Sequence, residues 1–550
     1  MSDHDDTYDV IILGSGIAGS ILGAILARQG AKVMLVDSGV HPRFAVGESL
    51  IPHTLNMFRI LAERYDVPEL EEFCSFDTAI KHIAPTMGRK LHFGFMMHKD
   101  GKEPDPEHTT LLSTNIPDLD ASHLFRQDTD SFVFHTAVKY GCVANQGYRV
   151  DRVELEDSGV TVCGQDGTRI SARYLVDASG FRSPVAEQLG LRAGPDALKH
   201  HARSLFTHMI DVRPTDDVLR MPDSARPPLP WVMGTTHHIF ERGWFWIIPF
   251  NNDPQSINPL VSIGLTFDER RYPKRDDLTP EQEFYSHVKR FPALERIFEN
   301  AKTVRPWVST GRFQYTSTKT VGNRWCMMSH AAGFIDPLYS RGLTNTTEVI
   351  DAVAWRLLEA LKDDDFSEER FEYVDRLQQA LIHYNDDLVN CSFVSWSDWE
   401  LWNAVHRVWA ASLMPSNMRL GRAYTRFKAT HDPNILREME EDDAYLGLPF
   451  PNKAYDELFS EMVRLCDAVD HGELASGEAG QRLMKSVISS PAVLPGQGLD
   501  EPESRFFHRT RDEILDLIEW LGKDGPEDMR YLVDNPNMQA AIKARAAARA

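Results

Sequence analysis

Cysteine is scarce and scattered: six residues, at 74, 142, 163, 326, 391 and 466, with no CxxC pair and no metal-like spacing. No metal is expected, and free thiols in a reducing cytoplasm are the plain reading. Positive charge is short as well, with 59 Lys and Arg against 81 Asp and Glu and a formal net charge of −22. A nucleic-acid surface needs the opposite excess, and an anionic membrane repels this balance. The N-terminal MSDHDDTYD is acidic where a secretory signal would begin basic. The one long apolar stretch, Val10 to Ala27, carries four glycines, which suits a turn and helix better than a membrane span. These absences point to a cytoplasmic protein with neutral, zwitterionic or locally guided small molecules as partners. Its 550 residues exceed one ordinary domain.

What is present begins at the N-terminus. Tyr8 to Leu13 reads as a buried parallel strand, followed by Gly14-Ser15-Gly16-Ile17-Ala18-Gly19 and a helical stretch to Arg28. A second apolar strand, Lys32 to Val36, ends at Asp37. In this order each residue has a task. Gly14 permits the tight turn, Gly16 lets the backbone approach a pyrophosphate, and Gly19 lets the helix pack on the strand. The helix N-terminus faces the anion, and Asp37 is placed to accept ribose hydroxyls. The fold class is α/β with a Rossmann-like dinucleotide domain. The unit alone does not choose FAD over NAD.

Two later segments choose. Tyr174 to Ser183 is a strand ending in Asp177-x-x-Gly180-x-x-Ser183, which resembles the second dinucleotide motif of aromatic hydroxylase-type flavoproteins. Arg126, in Phe125-Arg126-Gln127-Asp128, resembles the arginine those proteins place around FAD. The expected cofactor is FAD.

Gly243-Trp244-Phe245-Trp246-Ile247-Ile248-Pro249 carries the pattern WxWxIP. On a strand, Trp244 and Trp246 share a face. An arbitrary W-x-W is more often core packing, but the Ile-Pro tail in an FAD context resembles the signature of the flavin-dependent halogenases. Phe334 to Leu343 resembles that family's FxxPxxSxG halide segment. Membership would place halide at the amides of Gly342 and Leu343 beside Ser340 and Arg341, with Asp336, Glu48 and Ser49 around the flavin. Asn345-x-x-Glu348 looks like a capping box opening the next helix. The family's essential lysine is expected at Lys90, in Gly88-Arg89-Lys90-Leu91-His92-Phe93, with Lys81 as the rival. The likeness is nearest the branch that acts in pyrrolnitrin and chlortetracycline biosynthesis. Ser329-His330 stands where most FAD enzymes of the class place Gly-Asp, and Tyr339 replaces the acid of tryptophan halogenases. Tryptophan is therefore a poor substrate candidate.

The resemblance implies a chemistry. Reduced FAD from a separate reductase, with oxygen and chloride or bromide, yields hypohalous acid. Trp244 and Trp246 wall the flavin from the substrate. Lys90 holds the oxidant, as a chloramine or by hydrogen bonding, beside an electron-rich aromatic carbon. A base for the ring proton is needed, and the sequence singles out none. The favoured substrate is a free phenolic polyketide such as a tetracycline. The alternatives are an aminophenylpyrrole substrate, an FAD-dependent aromatic hydroxylase, or a non-catalytic flavin protein. The expected layout is a discontinuous FAD module (1–78, 120–190, 315–365) with sheet-forming inserts (79–119, 191–314) and a helical region, 366–550. There Trp396, Trp399, Trp402 and Trp409 form a stripe better read as helix packing than as a substrate pocket. Oligomeric state is not legible.

Overall fold

The computed structural model describes residues 7–114, 119–219, 221–222, 225–440 and 443–549; the acidic residues 1–6 and the terminal Ala550 lie outside them. Val10, Ile11, Ile12 and Leu13 are all buried, because the first strand, Tyr8–Leu13, lies at the centre of a sheet covered on both faces. It pairs in parallel with Val33–Asp37 on one side and Arg169–Asp177 on the other. Val143–Gln146 and Trp325–Met327 extend the parallel sheet at its two edges. Leu13, Asp177 and Met327 share a register, so the carboxyl ends of the strands form one rim. Ligands of open parallel sheets bind at that rim.

The turn into helix Ile17–Arg28 is closely packed. Gly14 has φ +95°, and a Cβ there would lie 2.5 Å from the Ala178 carbonyl oxygen. A Cβ on Gly19 would lie 2.0 Å from the Gly14 oxygen. Both positions exclude any side chain for reasons internal to the fold.

A second, nine-stranded sheet stands over the rim, with Ala202–Ile210, Val261–Asp268, Gly243–Pro249, Thr235–Phe240, His92–Met97 and Thr109–Ser113 side by side. Its short edge strand Phe506–Phe507 comes from the C-terminal region, so that region is not purely helical. Side chains alternate with period two. Phe93, Phe95, Trp244, Trp246 and Ile248 face the C-terminal helices, while Met96, Phe245 and Ile247 face the opposite core.

Helix Gly342–Asp363 begins three residues before the expected capping box. Asn345 N–H donates to the Arg341 carbonyl inside the first turn, and the Glu348 carboxylate goes to His53 instead of back to Asn345. The tryptophan stripe is broken between two helices: Trp396 caps the end of Glu368–Ser395, and the other three lie on Trp399–Thr430, which Asp398 caps by accepting from the Glu400 and Leu401 amides. Trp396, Trp402 and Trp409 are buried in one core, with Trp402 5.1 Å from Phe95 and Trp409 5.2 Å from Phe93 between ring centres. Trp399 instead stacks on His108 at 4.9 Å.

Candidate active site

Between the rim of the parallel sheet and the second sheet lies a cavity of about 2030 Å³, its mouth included. A Cβ on Gly16 would meet only the Arg43 guanidinium, at 3.6 Å, so the backbone there is open to the cavity and flanked by a helix N-terminus. Arg43 lines the same wall, and the half-buried His330 ring holds there a buried Nε2 with no hydrogen-bond partner among the described residues. An open glycine backbone, a cation and an orphaned polar ring atom fit an anionic, polar-edged cofactor such as FAD.

The carboxylates have other work. Asp37 accepts from the Ser15 amide and hydroxyl and from Arg43, at 2.7, 2.9 and 2.6 Å, and its other oxygen accepts from the Gly39 amide. It shapes the glycine loop and positions Arg43 without lining the cavity. Asp177 is fully buried and accepts from the Ser179 amide and the Ser183 hydroxyl, fixing the turn that carries Gly180 to the cavity. Burial pushes its carboxyl above the ordinary value, and these hydrogen bonds offset only part of that. Arg126 pairs with Asp130 at 2.6 Å and donates to the Val46 and Gly47 carbonyls, holding the strap before Glu48 and Ser49. Glu48 pairs with His208 at 2.7 Å, and the Ser49 hydroxyl meets Thr235 at 2.9 Å.

Trp244 and Trp246 form one wall, their rings 5.5 Å apart and inclined by 45°. His237 stacks on Trp244 at 5.2 Å, and the Trp246 Nε1 donates to Ser262. Trp246 lies over Gly264 so closely that a Cβ there would be 2.0 Å from the indole. Gly264→Ala is expected to displace the indole and cost about 1–3 kcal/mol, read as a lowered melting temperature. An unchanged melting temperature would mean that Trp246 moves freely.

A second cavity, about 920 Å³ with its mouth and open solvent included, is lined by Ile51, His53, Phe93, Arg341, Ser416 and Phe507 among others. The two cavities share backbone segments. Ser49 lines one and Ile51 the other; Gly342 lines one and Arg341 the other. Lys90 lies behind Phe93, in the lining of neither cavity. It ends strand Gly88–Lys90, is wholly buried, and holds its Nζ 3.6 Å from the centre of the Phe93 ring with no hydrogen-bond partner among the described residues. Phe93 lines the second cavity and stacks on His237, which lines the first. Burial with no compensating anion drives the amine well below its ordinary value of 10.5. The same burial, with the nearby lysine adding to it, pushes His123 and His237 down to about 3, so both rings are neutral. Lys81 is exposed on helix Phe76–His82.

Comparison with known proteins places this geometry. The FAD binding domain family matches residues 7–364. Tetracycline 7-halogenase of Kitasatospora aureofaciens is 51% identical over 98% of both chains. Monodechloroaminopyrrolnitrin halogenase PrnC of Pseudomonas fluorescens is 41% identical over 99% of this chain and 97% of its own. The chain belongs to the flavin-dependent halogenases. The crystal structure of halogenase PltM with phloroglucinol and FAD superposes with a TM-score of 0.88 at 35% identity, covering 91% of this chain and all of that one.

FAD is thus the halogenase's cofactor and chloride its co-substrate. Among the residues expected at the site, Gly16, Glu48, Ser49, Arg126, Gly180, Asp336, Trp244, Trp246, Ser340, Gly342 and Leu343 gather around the large cavity. Gly14, Gly19, Asp37 and Asp177 support it from behind. Arg341 is turned away: its guanidinium lies 4.9 Å from the Tyr384 ring, on the side of the second cavity. Sequence reasoning did not single out Arg43, His237 or His330 as site residues. For Arg43 the signal was present in the His41-Pro42-Arg43-Phe44 stretch that follows the second strand.

Proposed function

We propose that this halogenase chlorinates a phenolic ring carbon of a free aromatic polyketide of the tetracycline kind, held in the second cavity. The observation that carries the reading is Lys90, a buried amine held against Phe93, a ring that lines the second cavity and stacks on His237 of the first. Identity of 51% to tetracycline 7-halogenase along both whole chains supports the substrate class, as does the phenol phloroglucinol in the PltM complex. An aminophenylpyrrole is the second reading, favoured by the 41% identity to PrnC.

When bound and reduced by a separate reductase, FAD supplies the oxidising chemistry that turns halide into an electrophilic halogen. Gly16, Arg43, Gly180 and the Arg126-braced strap would hold it. The amides of Gly342 and Leu343, at a helix N-terminus that carries no side-chain cap, would hold halide. Trp244 and Trp246 keep the acceptor away from the flavin. Lys90, its amine pushed below the ordinary lysine range by burial, receives the halogen and presents it past Phe93. The protein is expected to work in the cytoplasm, where a reductase is available.

Trp246→Phe tests the wall. It should retain FAD but leak oxidising equivalents, raising hydrogen peroxide relative to chlorinated product. Unchanged coupling would return Trp246 to plain packing. The substrate class is tested by incubating the enzyme with a tetracycline-type and an aminophenylpyrrole acceptor, each with reductase, FAD, oxygen and chloride. Chlorine in the first alone supports the proposal, and chlorine in the second alone overturns it.

A further inference from the structure

A phenolic acceptor must give up its O–H proton as the ring is halogenated, and the second cavity contains groups that can take it. His53 opens helix Pro52–Tyr65, Glu348 lies on helix Gly342–Asp363, and Ser416 follows Pro415 within helix Trp399–Thr430. The three side chains meet in a line. Ser416 Oγ is 2.8 Å from His53 Nδ1, and His53 Nε2 is 2.6 Å from Glu348 Oε1, close but off the N–H axis. His53 and Ser416 are more than nine-tenths buried, and both line the cavity.

The order of partners sets the tautomer. A carboxylate at Nε2 places the ring proton there, which leaves Nδ1 to accept from the Ser416 hydroxyl. The Ser416 oxygen then keeps its lone pairs for the chamber. Burial alone would push Glu348 up, but His53, Arg341 and Arg419 outweigh it and hold the carboxyl below its ordinary value. Glu348 is therefore ionised and ready to compensate an imidazolium. Two polar rivets fix the three helices around this line. Thr54 bonds Thr344 at 2.7 Å, and Asn56 donates to Asn417 at 3.0 Å. Pro415, inside this helix, removes one backbone amide beside Ser416.

We propose that Ser416, His53 and Glu348 form the proton relay of the acceptor chamber, deprotonating the phenol as the halogen is delivered; this rests on the phenolic-acceptor reading above. The largely carbon-lined walls raise a phenol's pKa while Arg341 and Arg509 in the lining favour its phenolate, and the Ser416–His53 pair gives the released proton a place to go. Its O–H proton passes to Ser416 Oγ while the Ser416 proton passes to His53 Nδ1. The oxygen electron pair moves into the ring, and the ring carbon forms the C–Cl bond. The bond that held chlorine to oxygen or nitrogen breaks, and its electron pair leaves with that atom. Loss of the ring C–H proton to the departing base restores aromaticity, and His53 returns the borrowed proton to the phenolic oxygen. From hypochlorous acid and a phenol, the products are a chlorophenol and water.

The test compares variant to wild-type chlorination rates over phenols whose pKa values run from well above to well below the assay pH, with reductase, FAD, oxygen and chloride supplied. For phenols neutral at the assay pH, His53→Gln and Ser416→Ala should each lose about 10²–10³-fold, the scale of general base catalysis. For phenols already ionised, the ratio should climb towards one, because no proton remains to be moved. FAD affinity should be unchanged, since neither residue lines the larger cavity. Ser416→Ala removes one oxygen only and serves if the histidine variant folds poorly. A ratio that stays flat across the series in both variants overturns the relay and makes the three residues a helix clamp. A wild type that chlorinates no phenol overturns the phenolic reading and the relay with it.

Discussion

Lys90→Met is expected to abolish chlorination, by about 10³-fold or more, while raising thermal stability. The loss has the size of removing a positioned catalytic group. The stabilisation follows from burial: the amine has no anion or hydrogen bond, and an apolar side chain of similar length removes that cost. Linkage gives the pH dependence its sign. The folded-state value lies well below the unfolded 10.5, so the unfolded chain binds the extra proton between those values and wild-type stability rises with pH. The stability advantage of Lys90→Met should therefore shrink as pH approaches 10.5. Lys90→Arg should also fail, because a guanidinium stays protonated and cannot carry chlorine as a chloramine. Lys81→Ala should be indifferent. Melting curves and product assays on the same preparations decide the matter. A Lys90→Met enzyme that halogenates normally removes the lysine from the mechanism.

Gly16→Val should cost at least about 100-fold in FAD affinity with little change in the apoprotein's melting temperature, because a side chain there occupies the space a pyrophosphate would take. The contrast is with its neighbours. Gly14 and Gly19 exclude a Cβ through contacts with Ala178 and with each other, whereas Gly16 meets only the end of Arg43. Gly14→Val should therefore unfold the loop before affinity can be read. Retained yellow colour and normal affinity in Gly16→Val would contradict the cradle.

The dinucleotide unit was legible in the sequence because it is local. Strand, glycines, helix and second strand lie within forty residues, and each step of the pattern has one geometric meaning. WxWxIP was legible for the same reason, since a strand's period of two places both indoles on one face. The roles of Asp37 and Asp177 were less so, because a carboxylate at the end of a strand can face a ligand or its own turn, and here each faces its turn. Arg341 turned away because a helix begins at Gly342 and sends adjacent side chains to different sides. Glu348 was read as a cap since spacing alone cannot report a partner nearly three hundred residues away. The second cavity was invisible for that reason. Its relay draws on positions 53, 348 and 416, which only helix packing brings together.

Oxidising power generated in the large cavity is expected to leave it as halogen and to reach an aromatic acceptor in the second. The most direct measurement is the product mass spectrum when the enzyme is given a tetracycline-type acceptor, FAD, oxygen, chloride and a separate reductase. The predicted product carries chlorine in place of one ring hydrogen, and NADPH consumption falls to background when the reductase is omitted. An acceptor that instead gains oxygen, with NADPH consumed by the enzyme alone, would make the protein a hydroxylase and contradict the account.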